Sequence, residues 1–205
     1  MTIKDFGARV VSVWEGLRPM TKKMLVGAMQ PNVTTSAHTP QKFSYDAHAD
    51  WELSRLLSAL DEQIVDADVK RDAEKLAEIK HLAQACADVL ESQTESAEVF
   101  VQLAERALER RNYKKIDQLA DVLFARFSIG EVCEIARQAT NPAIRAIAYE
   151  TLVLMPTVSL LSLIGDPLYH EIVHNALEQQ AFEYESEEAR RLLEQFEFEE
   201  EMGDD

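Results

Sequence analysis

The chain has 205 residues, two cysteines, six glycines, six prolines and a formal net charge of −16. That length buries on the order of 70% of the unfolded surface, so the fold does not depend on disulfides. The acidic balance excludes general nucleic-acid binding, which needs a basic face.

Helix-favouring residues dominate and alternating β-branched runs are scarce, which predicts an all-α fold. Cys86 and Cys133 fall in apolar helical patterns and have no Cys-x-x-Cys neighbour. They read as reduced, buried thiols, and a zinc site built on thiolates is not expected. No apolar run reaches the roughly 18 to 20 residues that span a bilayer. The start, Met1 to Phe6, lacks the apolar core and small-residue cleavage site of a signal peptide, so the expected location is cytoplasmic. Charge is polarised along the chain. Residues 1–30 carry five Lys/Arg against two Asp/Glu, and residues 181–205 carry eleven acids against two arginines. A basic head and an acidic end attract one another within a chain or between copies, which keeps a homo-oligomer open.

The first segment, residues 1–29, is predicted as an amphipathic helical arm. Ile3, Phe6, Val10, Val13 and Leu17 recur at spacings of three and four with Trp14 beside them, and Pro19 interrupts the pattern before Met20, Met24, Leu25 and Met29. Phe6, Val10, Trp14 and Arg18 are its candidate partner-binding residues. With Lys4, Arg9, Lys22 and Lys23 the arm also fits a membrane-surface helix. Packing of the apolar stripe on the body is preferred to the membrane reading. Two prolines and many short polar residues make 30–46 a linker. Residues 47–195 form the predicted helical body, and 196–205 an acidic tail expected to fray.

Within the body, Leu53, Leu56, Leu57, Leu60 and Ile64 stripe one helix. Ala73, Leu76, Ile79, Ala83, Cys86 and Leu90 stripe the next. The short Asp66-Ala67-Asp68 turn between them predicts an antiparallel hairpin. A weaker break falls at 92–97. Beyond it the chain repeats. The segment from Asn141-Pro142 to Leu152 can be laid on that from Asp166-Pro167 to Leu177 at an offset of 25 residues, with an Asn/Asp cap, a Pro in the first turn and matching apolar positions. A short apolar helix precedes each copy: Ile129, Val132, Ile135 and Ala136 in one, Val158, Leu160, Leu161 and Leu163 in the other. A looser third copy has Leu103 and Ala107 before Asn112, with Ile116, Leu119, Ala120 and Leu123 after it. The final helix runs from about Pro167, with a break near Ser186.

A short helix, an Asn/Asp-Pro turn, then Ile144-Arg145 with Ala148 and Leu152 resembles a HEAT repeat over about residues 97–183, while the turn at Asn112-Tyr113 equally resembles a tetratricopeptide repeat. The second unit departs from the HEAT pattern, carrying Tyr169-His170 where the Val-Arg-like pair belongs, and its period is shorter than the usual ~40 residues. The resemblance implies stacked helical hairpins, solenoid-like, and a scaffold or protein-binding role without chemistry of its own. One hairpin cannot bury its apolar face, so neighbours must stack.

Two metal readings compete with that expectation. His170-Glu171-Ile172-Val173-His174 resembles the zinc metallopeptidase string. On a helix His170 and His174 lie one turn apart as ligands, Glu171 activates a water, and Glu194 or Glu200 offers a third ligand. Against it, no strand is expected to position a substrate, and the string occupies the slots of Arg145 and Tyr149 in the repeat. The second reading is a di-iron centre using Glu78 with His81 and Glu171 with His174. Glu52 or Glu62, and Glu105, Glu109 or Glu150, would complete it. Glu78 and His81, however, lie off the apolar stripe. Phe182, Tyr184, Phe196 and Phe198, interleaved with glutamates, offer a ligand for a basic partner, with a solvated helix end as the simpler reading.

Overall fold

The computed structural model of the chain describes residues 3–29 and 45–203, with side chains through residue 196. The core of the linker and the last two residues of the tail lie outside the described residues, as does the side chain of Phe198. The fold is all-α: among the described residues there are twelve α-helices and no strand. They form two compact units, Met1–Thr94 and Glu95–Asp205. The boundary falls at the weaker break of 92–97.

Unit 1 begins with a 3-10 turn at Ile3–Asp5, followed by α1 (Ala8–Gly16) and α2 (Pro19–Met29). Then come α3 (Ala47–Val65), α4 (Ala67–Arg71) and α5 (Ala73–Gln93). The expected Asp66-Ala67-Asp68 turn is therefore a turn of helix. Asp66 ends α3 and caps α4, and Asp72 caps α5 by accepting from the Lys75 amide. Each carboxylate satisfies an amide that has no partner within its helix. Leu53, Leu56, Leu57 and Leu60 of α3 are fully buried, as are Ile79, Leu82, Ala83, Cys86 and Leu90 of α5, and the two helices pack together.

The first two helices belong to this core. α1 packs on α3, and α2 packs on α5 and α3. Phe6, Val10, Leu17 and Leu25 are all buried. Gly7 makes the turn into α1 with φ +99°, and a Cβ there would meet the Gln63 side chain at 2.7 Å. Only glycine fits that backbone and that approach.

Unit 2 contains three hairpins and a closing helix. They are α6 (Ala97–Glu109) with α7 (Tyr113–Arg126), α8 (Ile129–Gln138) with α9 (Pro142–Leu154), α10 (Thr157–Ile164) with α11 (His170–Phe182), and then α12 (Glu187–Gly203). The first helices are neighbours, α6 on α8 and α8 on α10. The second helices are neighbours as well, α7 on α9 and α9 on α11. Asn112 caps α7 through the Lys115 amide. Asn141 caps α9 through the Ala143 amide, with Pro142 in the first turn. The α10–α11 copy departs from the repeat. Asp166 accepts from the Leu168 amide as Asn141 does from Ala143, yet a turn follows at 167–169 and α11 starts only at His170.

α11 ends in a left-handed cap. Glu185 has φ 55°, and the Ser186 amide donates back to the Gln180 carbonyl. Arg111 does the same after α6, with the Asn112 amide on the Ala107 carbonyl. Among the described residues no single helix is long and apolar enough to cross a membrane. α9 and α10 meet that test only as a pair, bent by 113° at their break.

Candidate partner-binding cleft

The sequence offers Phe6, Val10, Trp14 and Arg18 as partner contacts on a free arm. In the folded unit Phe6 and Val10 are buried, and Arg18 is committed internally. Its guanidinium donates to Asp46 at 2.7 and 3.0 Å and to Glu52 at 3.1 Å, while its backbone amide donates to Glu52 at 2.7 Å. Glu52 is 2% exposed and also accepts from the Thr21 hydroxyl. Burial alone would raise the Glu52 carboxyl. The donors from Thr21 and Arg18 outweigh it and hold the group below the usual carboxylate range. Asp46 is also held well below the usual carboxylate range, chiefly by Arg18 and then by the Ala49 amide. Glu52 is thus the internal clasp of α2 on α3, and Glu62 is paired with Arg9.

The His170 and His174 rings lie 6.0 Å apart on α11. His170 Nδ1 donates to the Ile164 carbonyl at 2.7 Å, and His174 Nδ1 stands 3.7 Å from Glu178. Glu171 is exposed. Among the described residues no three His, Cys, Asp or Glu side chains gather as a metal group. Glu78 and His81 belong to α5 of unit 1, whereas Glu171 and His174 belong to α11 of unit 2. Glu105 is part-exposed on α6, Glu109 and Glu150 are exposed on α6 and α9, and Glu194 is exposed on α12.

The second helices of unit 2 carry the more developed feature. A cleft of about 390 Å³ opens between α9 and α11, lined by Tyr149, Asn175, Glu178, Gln179, Phe182 and Glu183. Phe182 is 71% exposed and Tyr184 60%. Leu154, at the end of α9, is 58% exposed. The lining holds two carboxylates and no lysine or arginine.

Buried hydrogen bonds hold this end of the pair. Gln180 is 5% exposed. Its amide nitrogen donates to the carbonyls of Val153 at 2.8 Å and Met155 at 2.7 Å, and its oxygen accepts from the Thr157 hydroxyl at 2.9 Å. One side chain therefore ties α11 to the turn between α9 and α10. It also sets Leu154 and Phe182 at the same end of the helix pair.

A second tie lies at the start of α11. Tyr169 donates to Glu134 at 3.2 Å, and Arg137 donates to the same carboxylate at 2.6 and 2.8 Å. Arg137 is the main reason that Glu134 titrates at about 2, against the opposing effect of burial. Burial, then Glu134, pushes the Tyr169 phenol up.

In the sequence Phe182 and Tyr184 are visible only as aromatics interleaved with glutamates and Tyr149 only as a position of the repeat, while Asn175, Gln179 and Glu183 carry no motif. The available signal was Phe182, a large apolar residue off the α11 stripe of Ile172, Val173, Ala176 and Leu177. Comparison with protein-family models, with curated proteins and with solved structures gives no match for the chain.

Proposed function

We propose that this chain is a non-enzymatic interaction protein that holds another protein on the second helices of a HEAT-like hairpin stack in unit 2. The observation that carries the reading is the open cleft between α9 and α11, with Phe182 exposed in its lining and Tyr184 exposed just past the end of α11. Large apolar side chains grouped on a surface favour association, whereas scattered ones need no explanation. The side-by-side arrangement of α7, α9 and α11 supports it, because stacked hairpins of this kind present a continuous face. Fold analogy alone would be a weak warrant, so the cleft bears the weight.

The test is capture in the native cell. A photo-reactive phenylalanine analogue is placed at Phe182 in one version of the chain and at the exposed Lys80 of α5 in another. Illumination is expected to give a defined adduct from position 182 and not from position 80. Equal adducts from both positions, or none from 182, would refute the reading.

A further inference from the structure

The charge and shape of the cleft allow its occupant to be named by chemistry. We propose that the α9–α11 cleft takes a lysine or arginine side chain from an extended segment of a partner protein. The cation would lie among Tyr149, Phe182, Glu178 and Glu183, and apolar residues flanking it would cover Leu154 and Tyr184. This inference rests on the interaction reading above and adds the partner's chemistry to it.

Four features carry it. First, the lining contains two carboxylates and no lysine or arginine, so its local charge is negative. Glu183 forms no ion pair among the described contacts, and Glu178 has only His174 at 3.7 Å. Second, the same lining contains two aromatic rings. Rings attract cations through their faces, and a carboxylate beside them adds a charge-assisted hydrogen bond. Carboxylates alone would attract any counterion. Carboxylates with rings select a cation borne on an apolar stem, as the lysine and arginine side chains are.

Third, exposed apolar surface continues past the cleft. Val153 and Met155 both bind Gln180, so Leu154, which lies between them, sits beside the end of α11 that carries Phe182. Leu154, Phe182 and Tyr184 are each more than half exposed. A free polyamine would leave that surface uncovered, whereas a peptide with apolar flanks buries it. Fourth, the cleft is preformed, because the Gln180 bonds fix the ends of both helices before any ligand arrives.

The probe is a fluorescently labelled nine-residue peptide with two lysines set between leucines, titrated with the full chain and followed by anisotropy. Its counterpart has both lysines replaced by glutamine. The lysine peptide is expected to bind saturably and to weaken as salt rises from about 50 to 200 mM. The glutamine peptide is expected to bind about tenfold more weakly or worse. Phe182→Ala and the double variant Glu178→Gln with Glu183→Gln should each weaken the lysine peptide by about tenfold. All three positions are exposed, so these variants keep the fold, which circular dichroism verifies. A control pair, Glu74→Gln with Glu95→Gln, removes the same charge elsewhere and should leave binding unchanged.

Equal binding of the two peptides overturns the proposal. So does an equal loss in the control pair, which would make the effect one of bulk charge. Spermidine competing as well as the peptide assigns the cleft to free polyamines. Self-association abolished by Phe182→Ala, with no peptide binding, assigns it to a second copy. If the adduct at position 182 forms while both peptides fail to bind, the interaction reading stands and only the cationic occupant falls.

Discussion

Gln180 offers the sharpest test of how unit 2 is held. It is a polar side chain of α11, 5% exposed, and it uses its amide three times. Its two acceptors, the carbonyls of Val153 and Met155, belong to the end of α9 and to its C-cap residue, where carbonyls have no donor within the helix. Replacing Gln180 with leucine keeps the approximate volume and removes every partner. The net value of three hydrogen bonds is about 3 kcal/mol, and each stranded buried polar group adds a desolvation cost. The gain from burying a more apolar side chain offsets part of this, so the expected loss is about 2–4 kcal/mol.

Urea denaturation followed by far-ultraviolet circular dichroism gives the total. Hydrogen exchange read by mass spectrometry locates it. Faster exchange should concentrate in peptides covering the end of α9, the α9–α10 turn and the end of α11. Gln180→Glu sharpens the test, because a carboxylate placed against two carbonyl oxygens is repelled at neutral pH and gains a donor when protonated. Its deficit relative to the unsubstituted chain should narrow as pH is lowered from about 7 to about 5. A loss below about 1 kcal/mol for Gln180→Leu, or exchange that quickens only in α6 and α7, would refute the role assigned to this residue.

Three further outcomes are expected. Glu52→Ala strands the buried Thr21 hydroxyl and should cost about 2–3 kcal/mol. Because the folded-state Glu52 carboxyl is depressed, its contribution is complete above the ordinary carboxylate value of about 4.3 and is lost as pH falls toward its folded value. Trp14 and Trp51 both lie in unit 1, so an acid titration of tryptophan fluorescence should be shallower in the variant. Arg111→Gly and Glu185→Gly relieve left-handed backbone at exposed positions, and each should raise stability by about 1 kcal/mol in thermal melts. Cys86 and Cys133 are fully buried, and burial pushes the Cys133 thiol up to about 12. Neither should react with Ellman's reagent until denaturant is added, and prompt labelling of the native chain would contradict that burial.

The helices of this chain were legible because their signals are local. Asn141 caps the helix assigned to it, and Asn112, read as a break, caps α7. The stripes of α3 and α5 are buried from Leu53 to Leu60 and from Ile79 to Leu90, while Ile64 and Leu76 are half-buried and Ala73, at the start of α5, is exposed. The start of α11 is not set by that local pattern. Asp166 and Asn141 each accept from the amide two residues on, yet α9 begins at Pro142 and α11 only at His170.

What periodicity could not reveal was which surfaces stay open. A stripe such as Phe6 and Val10 serves equally well for a partner or for its own body, and the choice depends on long-range contacts. The decisive groups were Glu52, Thr21 and Asp46, polar residues that no apolar pattern marks, because the clasp on Arg18 joins positions 28 to 34 residues apart. The cleft poses the converse case. Tyr149 and Phe182 line one cleft, and Gln180, a polar residue at a position on the stripe of Val173, Ala176 and Leu177, turns inward to close the end of α9. A buried polar tie and an exposed ring thus stand two residues apart on α11, because the two positions face opposite sides of the helix.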